Sequence, residues 1–368
     1  MAYRDKPSLS KDEAIKLHKE ALVIDSQQPP ITSGALFTDN MRKALDGWYK
    51  DGLSKAETRG LLSNMMADEI KNSQDARNQY LDLWEKSGVN IASGTYAGPA
   101  KFEEAFGISS NGIANAIAII NSIPEKLMLV TTADHIIEAH ETGKYGIIFD
   151  FQDTTPFGTD LNKVDFFYNL GLRVVQLTYN LRNLVGDGCT EIHKSGLSYF
   201  GKELVSKLND MKMLVDVSHC SEQVGWDAME TSNAPVVITH STSAAVCKHD
   251  RGKGDKLAKA IADNGGFFGV VIIPGFIQNE TPNATLDHWA LHMEHLVNVM
   301  GIDHVCVGTD KMGPGPGTDS LFEYPTEMPE TKVGAFNWSG FRDEHRVLHR
   351  IMQTGKWKDI MILEIGQI

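Results

Sequence analysis

Two histidines and one aspartate are the side chains of this 368-residue sequence best placed to bind a metal ion. His219, His240 and Asp310 each follow a strand-length, mostly apolar run, which begins at residue 213, 235 or 305 respectively. Imidazoles and carboxylates are common zinc ligands. Apolar strands that end in such residues are typical of a parallel barrel with a metal site at its C-terminal rim.

The elements needed to position these side chains alternate regularly along the chain. Eight segments rich in Val and Ile are predicted strands: residues 21–27, 89–96, 145–152, 173–180, 212–219, 234–241, 266–274 and 304–312. Helical patterns accompany them at residues 10–19, 55–86, 132–141, 161–170, 201–210, 222–231, 255–264 and 285–300. The longest helical segment is expected to break into two helices. This βα alternation predicts an α/β fold, a (β/α)8 TIM barrel that forms a single domain over residues 1–368.

Composition and charge exclude several classes of protein. The net charge of −13 and the lack of a basic stripe argue against nucleic-acid binding. The longest apolar runs are strand-sized, so no membrane-spanning helix and no membrane partner are expected. The polar N-terminus does not read as a secretory signal, and the four cysteines lack CxxC spacing. Free thiols of this kind favour a reducing compartment, so we expect a cytoplasmic protein.

Several segments carry a resemblance to a known family: residues 172–180, 196–201, 214–219, 235–241, 249–251, 264–266 and 301–310. Together they resemble the membrane (renal) dipeptidases, metallopeptidases of the amidohydrolase superfamily that bind two zinc ions. The resemblance implies a hydrolase that cleaves a dipeptide or a small N-acyl amino acid. Because the family is often dimeric, the resemblance also suggests a homodimer.

The resemblance implies a role for each matching residue. His219 and His240 match the two histidine ligands of the second zinc ion. Asp310 matches an aspartate that binds the first ion and accepts a proton in catalysis. Arg251 matches an arginine that holds the substrate carboxylate, a role suited to the bidentate guanidinium fork.

Other positions depart from the family pattern. Gln27 and Pro29 stand where the family has a histidine and an aspartate ligand, and Gln152 stands in place of a bridging glutamate. A neutral amide cannot bridge two dications, although Asp150 or Asp153 could compensate. The chain therefore resembles a divergent bacterial branch, and we expect one zinc ion or none rather than two, with Gln152 contacting substrate.

Three functions remain open from the sequence. The first is a metal-dependent hydrolase with a mononuclear or atypical site. The second is a barrel enzyme in which Tyr179, His219 and Asp310 act as acid and base without a metal; Tyr179 replaces a substrate-binding histidine and can still donate to an oxyanion. The third is a binding protein without turnover. In each case Asp216 and Ser218 are expected to orient His219.

Overall fold

A closed ring of parallel strands forms the centre of the protein. The computed structural model describes residues 9–27, 36–98, 100–279, 284–310, 325 and 327–328. Within them the strands are β1 (Ile24–Asp25), β2 (Ile91–Thr95), β3 (Leu127–Leu129), β4 (Tyr145–Phe151), β5 (Leu172–Gln176), β6 (Leu214–Asp216), β7 (Val236–Ser241), β8 (Phe268–Val270) and β9 (Val305–Val307). Pro29, a departure from the family pattern, lies outside the described residues.

Helices surround the ring. They are α1 (Lys11–Glu20), α2 (Asp39–Lys50), α3 (Lys55–Asn72), α4 (Gln74–Ser87), α5 (Phe102–Ser122), α6 (Ala133–Thr142), α7 (Asn162–Asn169), α8 (Tyr199–Asp210), α9 (Glu222–Thr231), α10 (Asp255–Asp263), α11 (Pro274–Ile277) and α12 (Leu286–Met300). Among the described residues, no helix is long and apolar enough to cross a membrane.

Strand pairing closes the ring. The order is β1, β2, β4, β5, β6, β7, β8, β9, and β9 returns to β1 with Asp25 opposite Val307. The short strand β3 pairs only with the first residues of β4, so eight strands make the barrel. This confirms the predicted (β/α)8 fold, whereas its extent over residues 1–368 as one domain remains a prediction.

The break in the longest predicted helix has a local cause. Ser73 has an extended backbone (φ −119°, ψ 123°) that ends α3 after Asn72. Its hydroxyl then accepts a hydrogen bond from the Ala76 N–H and caps α4. Serine is a favoured N-cap because its oxygen satisfies one of the free N–H groups of the first turn. One residue therefore ends one helix and begins the next.

A hydroxyl connects β1 with β7 across two intervening strands. The Ser26 Oγ atom, just after β1, lies 2.6 Å from the Thr239 carbonyl oxygen and 2.9 Å from that of Val307. The close approach requires glycine within β8 and directly after β9, because a Cβ at Gly269 or Gly308 would overlap the Thr239 oxygen. The backbone below the end of β7 is thus tied to the place where the ring closes.

Candidate active site

The two predicted metal-binding histidines lie side by side. His219 follows β6 and His240 lies within β7, and these strands are parallel neighbours in the ring. Since the carboxyl ends of parallel strands meet at one rim, both imidazoles reach the same place. Their Nε2 atoms are 2.8 Å apart, and both side chains are buried. The predicted convergence of these histidines is therefore seen in the structure.

Each imidazole has one further partner, at Nδ1. The Asn180 Oδ1 atom lies 2.7 Å from Nδ1 of His219. The Thr239 Oγ1 atom lies 2.8 Å from Nδ1 of His240, and the same hydroxyl donates to Asp216 Oδ2 at 2.6 Å. We expected Asp216 to orient His219, whereas its contact with the pair runs through Thr239 to His240.

The electrostatic surroundings favour uncharged imidazoles. Burial lowers the pKa of His219 and of His240 well below the usual value, and the nearby positive charge of Arg251 lowers both further. A neutral imidazole carries a single N–H. With that N–H at Nδ1, each Nε2 presents a lone pair to the other. Two lone pairs do not form a hydrogen bond, so a cation between them would satisfy both.

A zinc ion is compatible with this pair. Two nitrogens bound to one tetrahedral zinc lie about 3.3 Å apart, as follows from Zn–N bonds of about 2.0–2.1 Å. The observed separation of 2.8 Å is shorter by about 0.5 Å, so the two imidazoles would move slightly apart to hold an ion between them. In the described part of the chain, however, no group of three or more His, Cys, Asp or Glu side chains could hold a metal. The two histidines supply two ligands, so a zinc ion held here would need further ligands.

Asp310 lies at the rim, after the end of β9. It is half-buried, has a left-handed backbone (φ 54°), and its N–H donates to the Gln27 carbonyl at 2.7 Å. The structure does not bring Asp310 and the two histidines into a metal-holding group. Its roles as a ligand and as a proton acceptor remain predictions.

Arg251 is wholly buried beside the strand ends that carry the histidine pair. Its two Nη atoms donate to the carbonyls of Ser218 and His240, the latter at 2.9 Å. Its Nε has no hydrogen-bond partner among the described residues. The guanidinium thus joins the ends of β6 and β7, while its predicted contact with a substrate carboxylate remains untested.

A second buried cation lies close by. Lys253 is 2% exposed, and its Nζ donates to the Cys220 carbonyl at 2.5 Å. Burial lowers the pKa of this lysine. No sequence pattern pointed to Lys253, because a lysine in a polar loop ordinarily faces solvent. Asn180 and Thr239 were also missed, although both stand at predicted strand ends beside candidate site residues.

Aromatic and amide side chains complete the rim. The Tyr179 ring stacks on His219 with centroids 4.2 Å apart and an interplanar angle of 21°. Gln152 directly follows β4 and is 5% exposed. Gln27 is also buried, and its Nε2 has no partner among the residues that the structure describes. Tyr179 is thus placed beside the histidines, and substrate contacts by Tyr179 and Gln152 remain predictions.

The two carboxylates that could replace the bridging glutamate, Asp150 and Asp153, already accept hydrogen bonds from neighbouring residues. Asp153 accepts hydrogen bonds from the N–H and hydroxyl of Thr155. Asp150 lies two residues before Gln152, and its Oδ2 accepts from Ser93 Oγ at 2.8 Å. Burial raises the pKa of Asp150 to about 7, and burial likewise raises that of Asp25 to about 6.

The sequence of this barrel matches a known protein family. The family described as membrane dipeptidase (Peptidase family M19) matches residues 35–326. The chain belongs to this family. The M19 proteins are zinc metallopeptidases, which confirms zinc as the metal of the family but not the number of ions bound here.

Individual relatives extend the comparison. An uncharacterized dipeptidase of Schizosaccharomyces pombe is 32% identical over 208 residues, which are 54% of this chain and 50% of that protein. The match thus spans about half the length of that relative. Dipeptidase verJ of Clonostachys rogersoniana is 24% identical over 330 residues, covering 82% of this chain and 83% of verJ.

A solved structure shares the fold. It is a metallo peptidase from Rhodobacter sphaeroides, liganded with a phosphinate mimic of the dipeptide L-Ala-D-Ala. It matches with a TM-score of 0.64 and 17% identity, over 92% of this chain and 98% of the other. At this identity the likeness supports the barrel alone.

Proposed function

We propose that this protein is a dipeptidase-like metallohydrolase that binds one zinc ion through His219 and His240. The observation that carries the proposal is the convergence of two neutral Nε2 atoms at 2.8 Å. Zinc at such a site supplies Lewis acidity, which polarises a scissile carbonyl and acidifies water. Membership of a zinc metallopeptidase family supports the same metal.

The chain's own residues divide the remaining work. Asp310, at the rim, would complete the ligand set and accept a proton. The Tyr179 hydroxyl would donate to the developing oxyanion, and the Gln152 amide would contact the substrate backbone. Arg251 would attract the substrate carboxylate, either directly or through the electric field of its positive charge, since its guanidinium is bonded to the backbone of His240.

The proposed substrate is a dipeptide or a small N-acyl amino acid. The relatives named as dipeptidases support this class, as does the dipeptide mimic bound by the Rhodobacter sphaeroides protein. A cytoplasmic location and a homodimer are part of the same proposal. The four cysteines, all free, are in keeping with a reducing compartment.

Hydrolysis measured with and without metal tests the function. The protein is treated with a chelator, divided, and assayed on L-Ala-L-Ala, L-Ala-D-Ala and N-acetyl-alanine with and without added zinc. We expect turnover only with zinc, near one ion per chain, and a loss of about 100-fold or more in His240→Ala. The exposed His193→Ala is the matched control and should keep full activity.

Two results would contradict the proposal and favour the alternatives. Chelator-resistant turnover would support acid–base catalysis by Tyr179, His219 and Asp310 without a metal. That alternative is favoured by the lack, among the described residues, of a three-ligand group. Thermal stabilisation by dipeptides without any product would instead indicate a binding protein.

A further inference from the structure

We propose that Thr239 and Asn180 are positioning residues that hold the N–H of His240 and of His219 at Nδ1 and so keep both Nε2 atoms available to one zinc ion. The inference deepens the proposed function and rests on it for the identity of the ion. Its structural basis is a hydrogen-bond partner at each Nδ1 atom, behind the two facing Nε2 atoms: Asn180 beside His219, and Thr239, itself bonded to Asp216, beside His240.

The direction of the hydrogen bond at His240 follows from counting protons. The hydroxyls of Thr239 and Ser218 both lie within bonding distance of the Asp216 carboxylate, at 2.6 Å and 2.5 Å. When Asp216 is ionised, its carboxylate only accepts, and each hydroxyl has one hydrogen to donate. Both hydrogens are thereby used on Asp216. Thr239 Oγ1 can then only accept from His240, which places the imidazole hydrogen on Nδ1.

The partner of His219 is held equally firmly. Asn180 has a left-handed backbone (φ 55°), and its carbonyl accepts from the N–H and hydroxyl of Thr190. In its side chain, the Asn180 Oδ1 atom accepts a hydrogen bond from the Cys189 thiol at 3.4 Å. The same Asn180 Oδ1 atom lies 2.7 Å from Nδ1 of His219, and an amide oxygen can only accept a hydrogen there. The His219 hydrogen therefore lies on Nδ1 as well.

The backbone that carries the two histidines is held by bonds that do not involve Asn180 or Thr239. Arg251 donates to the carbonyls of Ser218 and His240, and Lys253 donates to that of Cys220. Removing the Thr239 hydroxyl would therefore leave the strand ends in place. Its effect should fall on the imidazole itself, which makes the positioning role separable from a structural one.

Zinc affinity and imidazole tautomers test the role of Thr239. Thr239→Val keeps the shape and removes the acceptor, whereas Thr239→Ser restores it. The matched control is Thr242→Val, because Thr242 is equally buried and its hydroxyl has no partner among the described residues. We expect zinc affinity, measured by competition with a chromophoric chelator, to fall about 10–100-fold in Thr239→Val. Thr239→Ser and Thr242→Val should stay near wild type.

Asn180 is tested in parallel. Asn180→Gly tolerates the left-handed backbone and removes the acceptor, while Asn180→Asp keeps an oxygen acceptor there. Zinc affinity should fall about 10–100-fold in the glycine variant and recover in the aspartate variant. Two-bond ¹H–¹⁵N spectra of histidine-labelled protein should show Nδ1–H for both imidazoles in the zinc-loaded wild type.

The outcomes separate this inference from the proposed function. Unchanged zinc affinity in both Thr239→Val and Asn180→Gly, or an Nε2–H signal from either histidine in zinc-loaded protein, would overturn the inference. If the variants lose zinc affinity and the tautomers are as expected, but no dipeptide is hydrolysed, the positioning roles stand and the proposed activity fails. If wild type binds no zinc, loss of the His240 Nδ1–H signal in Thr239→Val still supports positioning, and its persistence contradicts it.

Discussion

Asp150 carries a carboxyl group that the barrel interior scarcely solvates. Its Oδ2 accepts from Ser93, and its Oδ1 is buried without a partner in the described part of the protein. Burial raises its pKa from 3.8 to about 7, and the charges of Asp216 and Asp310 contribute in the same direction. The unfolded chain therefore releases this proton at a lower pH than the folded protein. Ionisation above about pH 4 thus favours unfolding, and the loss of stability is complete once pH passes about 7.

The first prediction concerns Asp150→Asn. In metal-free protein we expect the variant to be more stable than wild type at pH 8, by up to about 4 kcal/mol, and equally stable near pH 4. The difference should grow between these limits. Urea denaturation at several pH values measures it, with the exposed Asp210→Asn as control. A variant less stable than wild type at pH 8 would mean that the ionised carboxylate has a partner inside the barrel.

The second prediction decides between two roles of Arg251. An ammonium group cannot reach both carbonyls that the guanidinium bridges, so Arg251→Lys should leave one buried acceptor without a donor. We expect the free energy of unfolding to fall by about 1–3 kcal/mol. The exposed Arg59→Lys is the control. Unchanged stability together with a raised KM would instead support direct binding of the substrate carboxylate.

At the scale of elements, the connection from β5 to α8 presents Asn180 to His219. Gly188 in this connection packs directly against the backbone of Asn180, and a Cβ there would overlap the Asn180 carbonyl. Glycine is needed here for close approach rather than for an unusual φ. The position of one site residue therefore depends on the packing of a loop eight residues further along.

Gly188→Ala is the third prediction. Overpacking should reduce the free energy of unfolding by about 1–3 kcal/mol and displace Asn180, so zinc affinity should fall as well. Gly107→Ala is the matched control, because Gly107 lies within α5 with no atom near its missing Cβ. That control should gain up to about 1 kcal/mol from improved helix propensity. Equal effects of the two substitutions would contradict the close-packing argument.

The sequence predicted those elements whose pattern is strong and local. Apolar strands bounded by turn residues were all found, and parallel strand ends placed His219 beside His240. The strand β3 was missed, because its three residues are too few to show an alternating pattern. The helix α5 was missed too, since Gly107, Gly112 and several β-branched residues weaken its helical signal.

Contacts made through loops were beyond prediction. Lys253 and Arg251 are buried because the segment after β7 returns to the ends of β6 and β7, where their side chains meet backbone carbonyls. A sequence shows neither that return nor the partners it creates. The hydroxyl of Thr239 could be placed at a strand end, but its use as an acceptor depends on Asp216 from the neighbouring strand.

Across the whole molecule, strand pairing in the barrel is more extensive on one side than on the other. The seven-residue strand β4 pairs with β2, β3 and β5, whereas β1 pairs over only two residues. The Asp25 carboxylate strengthens that seam, because it accepts hydrogen bonds from the N–H and hydroxyl of Thr309. Local opening should therefore begin where β1 meets β9.

Amide hydrogen exchange measures this asymmetry and gives the fourth prediction. Peptides covering β1 and β9 should exchange faster than those covering β4, because openings of the seam cost less than global unfolding. Mass spectrometry after exchange at pH 7 provides the comparison. If β4 exchanged as fast as β1, the ring would open as a single unit instead.

The hydrogen bond made by the Ser26 hydroxyl should affect how the protein responds to heating. It connects the seam to the backbone immediately before His240, across two glycines that leave no room for a side chain. When the seam opens, the strand that carries His240 loses this anchor while most of the barrel is still folded. The proposed zinc site should therefore release zinc, and the proposed turnover should cease, several degrees below the temperature at which the circular dichroism changes; both should recover on cooling.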